Sequence, residues 1–216
     1  MSIILNETEA RVLGSLAEKQ LTTPEYYPLT LNALTAACNQ KSNRDPVMSL
    51  DETAILAAID NLRDKNLVYL FYGSGSRTVK YKHMLNGVFE LEASGVAVIT
   101  LLLLRGPQTI GELRGRSDRL YEFSDLNEVQ ETLDSLARRD DPLVVKLERM
   151  PGQKEARYAH LLSGKPDTTA LPAPANQPSA KESKDRIHAL ENEVESLRAE
   201  VASLRATLDE FKKQFD

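Results

Sequence analysis

Residues 81–85 read Tyr-Lys-His-Met-Leu and residues 158–162 read Tyr-Ala-His-Leu-Leu, and each pentapeptide closes the same succession of elements. In the first succession, apolar spacing predicts a helix over Glu7 to Gln20, with Leu13, Leu16 and Ala17 on one face. A second helix is predicted over Leu29 to Asn39, carrying Leu31, Leu34 and Cys38 at i, i+3 and i+7. A third runs from about Leu50 to Lys65, with Ile55, Ile59 and Leu62 inward and Ser49 and Glu52 as a candidate capping box. Two alternating segments then flank Gly73-Ser-Gly-Ser76, which is a hairpin signal. The same order returns as Glu92 to Leu104, the short stretch QTIGELRGR, Asp125 to Arg139, and a hairpin tipped by Pro151-Gly152. The spacing of the copies, roughly 75–80 residues, is too long for a solenoid repeat. Two copies of one small domain are therefore expected, over residues 1–85 and 86–165.

Three helices followed by a two-stranded wing is the winged helix-turn-helix plan. The fold class expected is mainly α with small β-hairpins (α+β): two tandem winged helix-turn-helix domains, then a C-terminal coiled-coil helix. The connection from Met84 to Leu91 is short, so the two copies should pack as one body. Residues 166–183 are rich in Pro, Ala and Ser, cannot bury enough surface to offset chain entropy, and read as a flexible linker.

Residues 184–216 carry Ile187, Leu190, Val194, Leu197, Val201, Leu204, Leu208 and Phe211 at alternating spacings of three and four, and Phe215 continues the series. Early Ile/Val at a with Leu at d favours a parallel two-stranded coil. With Ile187 as a, a parallel pair sets Arg186 against Glu191, Glu193 against Arg198 and Glu200 against Arg205, all opposite in sign. A homodimer through this segment is expected; the alternative is a lone amphipathic helix folded back on its own core.

The stretches EARVLGSLAEKQLTTPEYYPLTLNALTAACNQKSNRDPVM, GVAVITLLLLRGPQTIGELRGRS, YEFSDLNEVQETL and RYAHLLSG closely resemble the YceH-like family of uncharacterised bacterial proteins, a family of unknown function. The resemblance covers about residues 1–165. It implies a tandem winged-helix fold and no established activity.

Function is constrained further by what the chain lacks. No apolar run is long enough to span a bilayer, and the start MSIILNETEA has no basic n-region. With a single cysteine, Cys38, no internal disulfide can form, and a cytoplasmic, reducing setting is expected. No phosphate loop, nucleophile elbow or metal-binding helix motif occurs. An enzyme is not expected, nor a cofactor, a metal or a membrane. His83 and His160 occupy the same point of the two hairpins and read as structural histidines; Cys38 reads as a packed thiol.

Double-stranded DNA is the candidate partner. The net charge of −5 demands that contacts come from local patches. The third helix usually enters the major groove, yet here it offers Asp51, Glu52, Thr53, Asp60, Asn61 and Asp64 in one copy and Asn127, Glu128, Glu131 and Asp134 in the other. Basic residues gather beside it instead: Lys41 and Arg44 after helix two, with Arg77, Lys80 and Lys82 on the wing, then Arg114, Arg116 and Arg119, with Lys154 and Arg157, in the second copy. These are expected to touch phosphates rather than bases. The alternative reading is a non-enzymatic protein–protein scaffold that uses the winged helices as docking surfaces.

Overall fold

The computed structural model describes residues 3–73, 78–149 and 155–166. The linker beyond Pro166 and the heptad segment, Ile187 to Phe215 with its paired flanks, lie outside the described residues. Residues 1–168 form one compact unit. Among the described residues there are seven α-helices and two small antiparallel sheets.

α1 (Glu7–Thr22) starts at an Asn6 cap, where a reciprocal capping box with Glu9 satisfies two of the helix's open N–H groups. β1 (Leu29–Thr30) leads into α2 (Leu31–Cys38), whose cap is the Thr30 hydroxyl accepting from the Ala33 N–H. The helix expected from Leu29 thus begins two residues later, because Leu29 and Thr30 pair as a strand with Tyr81 and Lys80. α3 (Glu52–Asp64) is capped by Asp51, whose carboxylate accepts from the Ala54 N–H at 2.7 Å. The Ser49–Glu52 capping box is therefore displaced by two residues, to an Asp that reaches the N3 amide itself. β2 (Val68–Tyr72) and β3 (Val79–His83) complete a sheet of order β1-β3-β2.

α4 (Leu85–Phe89) fills the short connection, and the second copy follows: α5 (Ala93–Arg105), α6 (Ile110–Ser117), α7 (Leu126–Ala137), β4 (Val144–Lys146) and β5 (Tyr158–His160). The duplication extends to details invisible in the apolar spacing. Thr109 caps α6 as Thr30 caps α2, and Asp125 caps α7 as Asp51 caps α3. Gln108 bridges Tyr158 through two backbone hydrogen bonds, 3.0 and 2.7 Å, at the point where Leu29 pairs with Tyr81. The matched pentapeptides are core: Tyr81, His83, Leu85, Tyr158 and Leu162 are all buried.

One apolar cluster runs through both copies, centred on α1 and α5. Every residue of α1 from Glu9 to Glu18 is buried, and so is every residue of α5 from Gly95 to Leu104. A helix covered all round needs neighbours on every side; α1 has α2 and α3 of its own copy and α5 of the other. Gly14 permits this approach. A Cβ there would stand 3.0 Å from the Leu104 side chain and 3.1 Å from Leu103 Cβ.

Candidate nucleic-acid interface

The sheet of the first copy has one wet face. Residues directly opposite in an antiparallel pair share a face, and the register sets Tyr69 against Lys82 and Phe71 against Lys80. The other face carries Val68 and Leu70 with Tyr81 and His83, turned to the core. The outward set therefore combines two aromatic rings, 52% and 45% exposed, with exposed Lys82 and half-buried Lys80. Thr30, paired with Lys80, extends the face onto β1. Among the described residues neither lysine forms an ion pair. Tyr69 and Phe71 were missing from the sequence-derived site, although the alternation of VYLFY already sets them on one side of the strand.

The remaining cations divide sharply. Lys41 and Arg119 are exposed, and neither forms an ion pair among the described residues. Arg77 and Lys154 lie outside the described residues. Arg114 pairs with Asp118 at 2.9 Å. Arg116 and Arg157 converge on one carboxylate, Glu112, at 3.4 and 3.0 Å. Arg116 also donates to the Gln108 side chain and Arg157 to the Pro107 carbonyl, both at 2.8 Å. Of the second-copy set, Arg116 and Arg157 are brought together, and around an internal counter-ion.

Arg44 requires a correction. It is 5% exposed and cannot reach a phosphate. Its guanidinium grips Glu18 of α1 with two parallel bonds, Nη1 to Oε1 at 3.0 Å and Nη2 to Oε2 at 2.6 Å. It also donates to the Ala37 carbonyl and to Gln40 Oε1. The loop around it is tied to α5: Asp45 N–H donates to the Leu104 carbonyl at 2.9 Å, and Arg105 donates to Asn43 Oδ1 at 3.0 Å. Asn43 holds φ at 59°, a left-handed conformation that Asn tolerates better than most residues. The polar, basic segment after α2 is thus an internal clamp between helices, with only Lys41 of its cations on the outside.

The acidic faces stand where the sequence set them. Asp51, Glu52, Asp60 and Asp64 are exposed on α3, with Asp60 paired to Arg63 at 3.0 Å. On α7, Glu128 turns back to accept from Ser124 and the Tyr121 hydroxyl, and these bonds hold its carboxyl below the usual range.

Burial lowers the pKa of His83 to about 4, with a smaller contribution from Lys82; its Nδ1 accepts from the Leu85 N–H. Burial alone lowers His160 to about 4. Among the described residues no group of three or more His, Cys, Asp or Glu is placed to hold a metal ion. Burial pushes the Cys38 thiol up to about 11. Thiol reagents in the native state should therefore label Cys38 slowly, and reaction should accelerate only on unfolding; stopped-flow labelling with and without urea measures it.

The fold defines a duplicated helix-and-hairpin protein with an aromatic and basic sheet face on one copy. A family model described as "Protein of unknown function, DUF480" matches residues 5–153. The chain belongs to that family. It is 51% identical to a UPF0502 protein of Geobacter sulfurreducens over the whole of both chains. It is 50% identical to UPF0502 protein YceH of Escherichia fergusonii, over 91% of this chain and 94% of that one. Among the described residues no helix is long and apolar enough to cross a membrane.

Proposed function

We propose that the chain is a tandem winged-helix protein that binds nucleic acid in a regulatory, non-enzymatic role in the cytoplasm, acting as a dimer through its C-terminal heptads. The fold reading is supported by the element order, in which β1 enters between the first two helices and lies beside β3. The observation that carries the function is the outward face of the first hairpin, Tyr69 and Phe71 crossed with Lys80 and Lys82. Ammonium groups neutralise phosphates and release counter-ions, while aromatic rings stack on bases or sugars. Lys41 and Arg119 supply further positive charge.

Replacing Lys80 and Lys82 with Ala should weaken binding alike on all duplex sequences. It should also flatten the dependence of log K on log salt by about two units, at roughly 0.9 per phosphate contact. Tyr69→Ala with Phe71→Ala should weaken binding while leaving that slope in place, because stacking releases no ions. The measurement is a fluorescence-anisotropy salt titration on random duplex and single-stranded DNA. No binding by the full-length protein at about 50 mM salt, where the electrostatic contribution is largest, defeats the proposal.

The scaffold reading is favoured by one specific observation, the four exposed carboxylates of α3 and its cap. It takes precedence if DNA binding fails. Deleting residues 181–216 should convert a dimer into a monomer in sedimentation; a monomeric full-length protein at micromolar concentration contradicts the coil.

A further inference from the structure

Arg11 is buried, at 2% exposure, and it has no carboxylate partner within ion-pair distance among the described residues. Its Nη1 donates to the Cys38 carbonyl at 3.1 Å and its Nη2 to the Pro46 carbonyl at 2.5 Å. Its Nε has no hydrogen-bond partner. The carboxylates of Asp45 and Glu18 act on this guanidinium only from beyond ion-pair distance, and its Nε donor is left unmatched, which is costly unless an acceptor reaches it.

A cavity of about 230 Å³ is open to it. Arg11 and Ala10 of α1 line one side, Leu102 and Leu103 of α5 another, and Ala159 and His160 of β5 a third. His160 brings a second orphan, a buried Nδ1 without a hydrogen-bond partner. Two residues from opposite copies, each with one buried unpartnered nitrogen, thus contribute to the walls of one small and mostly apolar space. Glu7, Asp45 and the Ser163 hydroxyl also line it, and all three residues are exposed.

We infer that this cavity is a binding site for a small organic monocarboxylate with an apolar body. The carboxylate accepts from Arg11, and from His160 or Ser163 beside it, while a short hydrocarbon chain lies along Leu102, Leu103 and Ala159. The acids Glu7 and Asp45 select against multiply charged anions such as phosphate. The volume is below the range of about 300–1,000 Å³ typical of drug-sized ligands, so the ligand is no larger than an amino acid. Its walls come from both copies, so occupancy would tighten the joint between them. The site stands independently of nucleic-acid binding.

The test is isothermal titration of the full-length protein with acetate, isobutyrate, 4-methylpentanoate and benzoate, beside 4-methylpentanamide and inorganic phosphate. One-to-one saturable binding is expected for at least one branched or aromatic carboxylate, at least tenfold tighter than for the amide or phosphate. Ser163→Phe, at an exposed rim position, should weaken that binding at least tenfold with the circular dichroism spectrum unchanged. Arg11→Met should abolish it, and if that variant fails to fold, the Ser163→Phe result decides. Failure of every carboxylate, equal binding of the amide or phosphate, or undiminished binding in folded Ser163→Phe overturns the assignment.

Discussion

Arg44→Ala should lower stability by about 3–5 kcal/mol, the usual cost of breaking a buried ion pair from one side, and the melting temperature by roughly 10 °C for a unit of this size. The loss has two parts. Glu18, itself buried, is left without its bidentate partner and retains, among the described residues, the ion pair with Lys19 at 3.6 Å. The Ala37 carbonyl and Gln40 lose their donors. Glu18→Gln should cost less, because the guanidinium keeps those other acceptors. Replacing both members by Leu should recover part of the single-mutant loss, since no unpaired charge then remains buried. Urea denaturation of the three variants measures these differences. A change below about 1 kcal/mol in Arg44→Ala contradicts the clamp and returns Arg44 to the surface.

Stability should also fall as pH drops from about 6.5 towards 4. Both His83 and His160 have folded pKa values near 4 because burial disfavours their charged forms, against about 6.5 in the unfolded chain. Between those values the unfolded state binds protons that the folded state refuses. The stabilisation is fully present above the unfolded pKa and is lost as pH falls through the window. A shift of that size corresponds to about 3 kcal/mol for each histidine. His83→Asn with His160→Asn should remove most of the slope while lowering stability at neutral pH, since an amide fills each ring's place imperfectly. Urea midpoints measured from pH 7.5 to 4.5 report it. An unchanged slope in the double variant would assign the acid sensitivity to other groups.

The succession of helices and hairpins was legible because each copy buries its own apolar stripe at helical or alternating spacing. Helix starts were less legible. At Leu29 and Thr30 the choice between strand and helix depends on partners far along the chain, Tyr81 and Lys80, whereas at α3 it lies between two candidate caps two residues apart, and the bond from the Ala54 N–H to Asp51 decides it. The all-round burial of α1 was hidden for a similar reason. Glu9, Arg11, Ser15 and Glu18 are polar, so the spacing marks that side as solvent, whereas Arg11 bonds the Cys38 carbonyl at the end of α2, Glu9 pairs with Lys65 and Glu18 with Arg44. Arg44 failed in the same way: a cation among Asn, Ser and Lys looks exposed until its carboxylate, 26 residues away, is known. Tyr69 and Phe71 were within reach of the sequence, since strand alternation alone aligns them with the lysines.

The pairing of Arg116 and Arg157 on Glu112 bears on how the duplicated halves diverged. Here the second half commits Arg116 and Arg157 to the carboxylate of Glu112, while the first keeps Lys80 and Lys82 on the outward face of its hairpin. If the chain binds a polyanion as proposed, the outward face of the first hairpin would be the principal contact of each chain. On that proposal, an inverted repeat would be met by two chains, each offering one such hairpin.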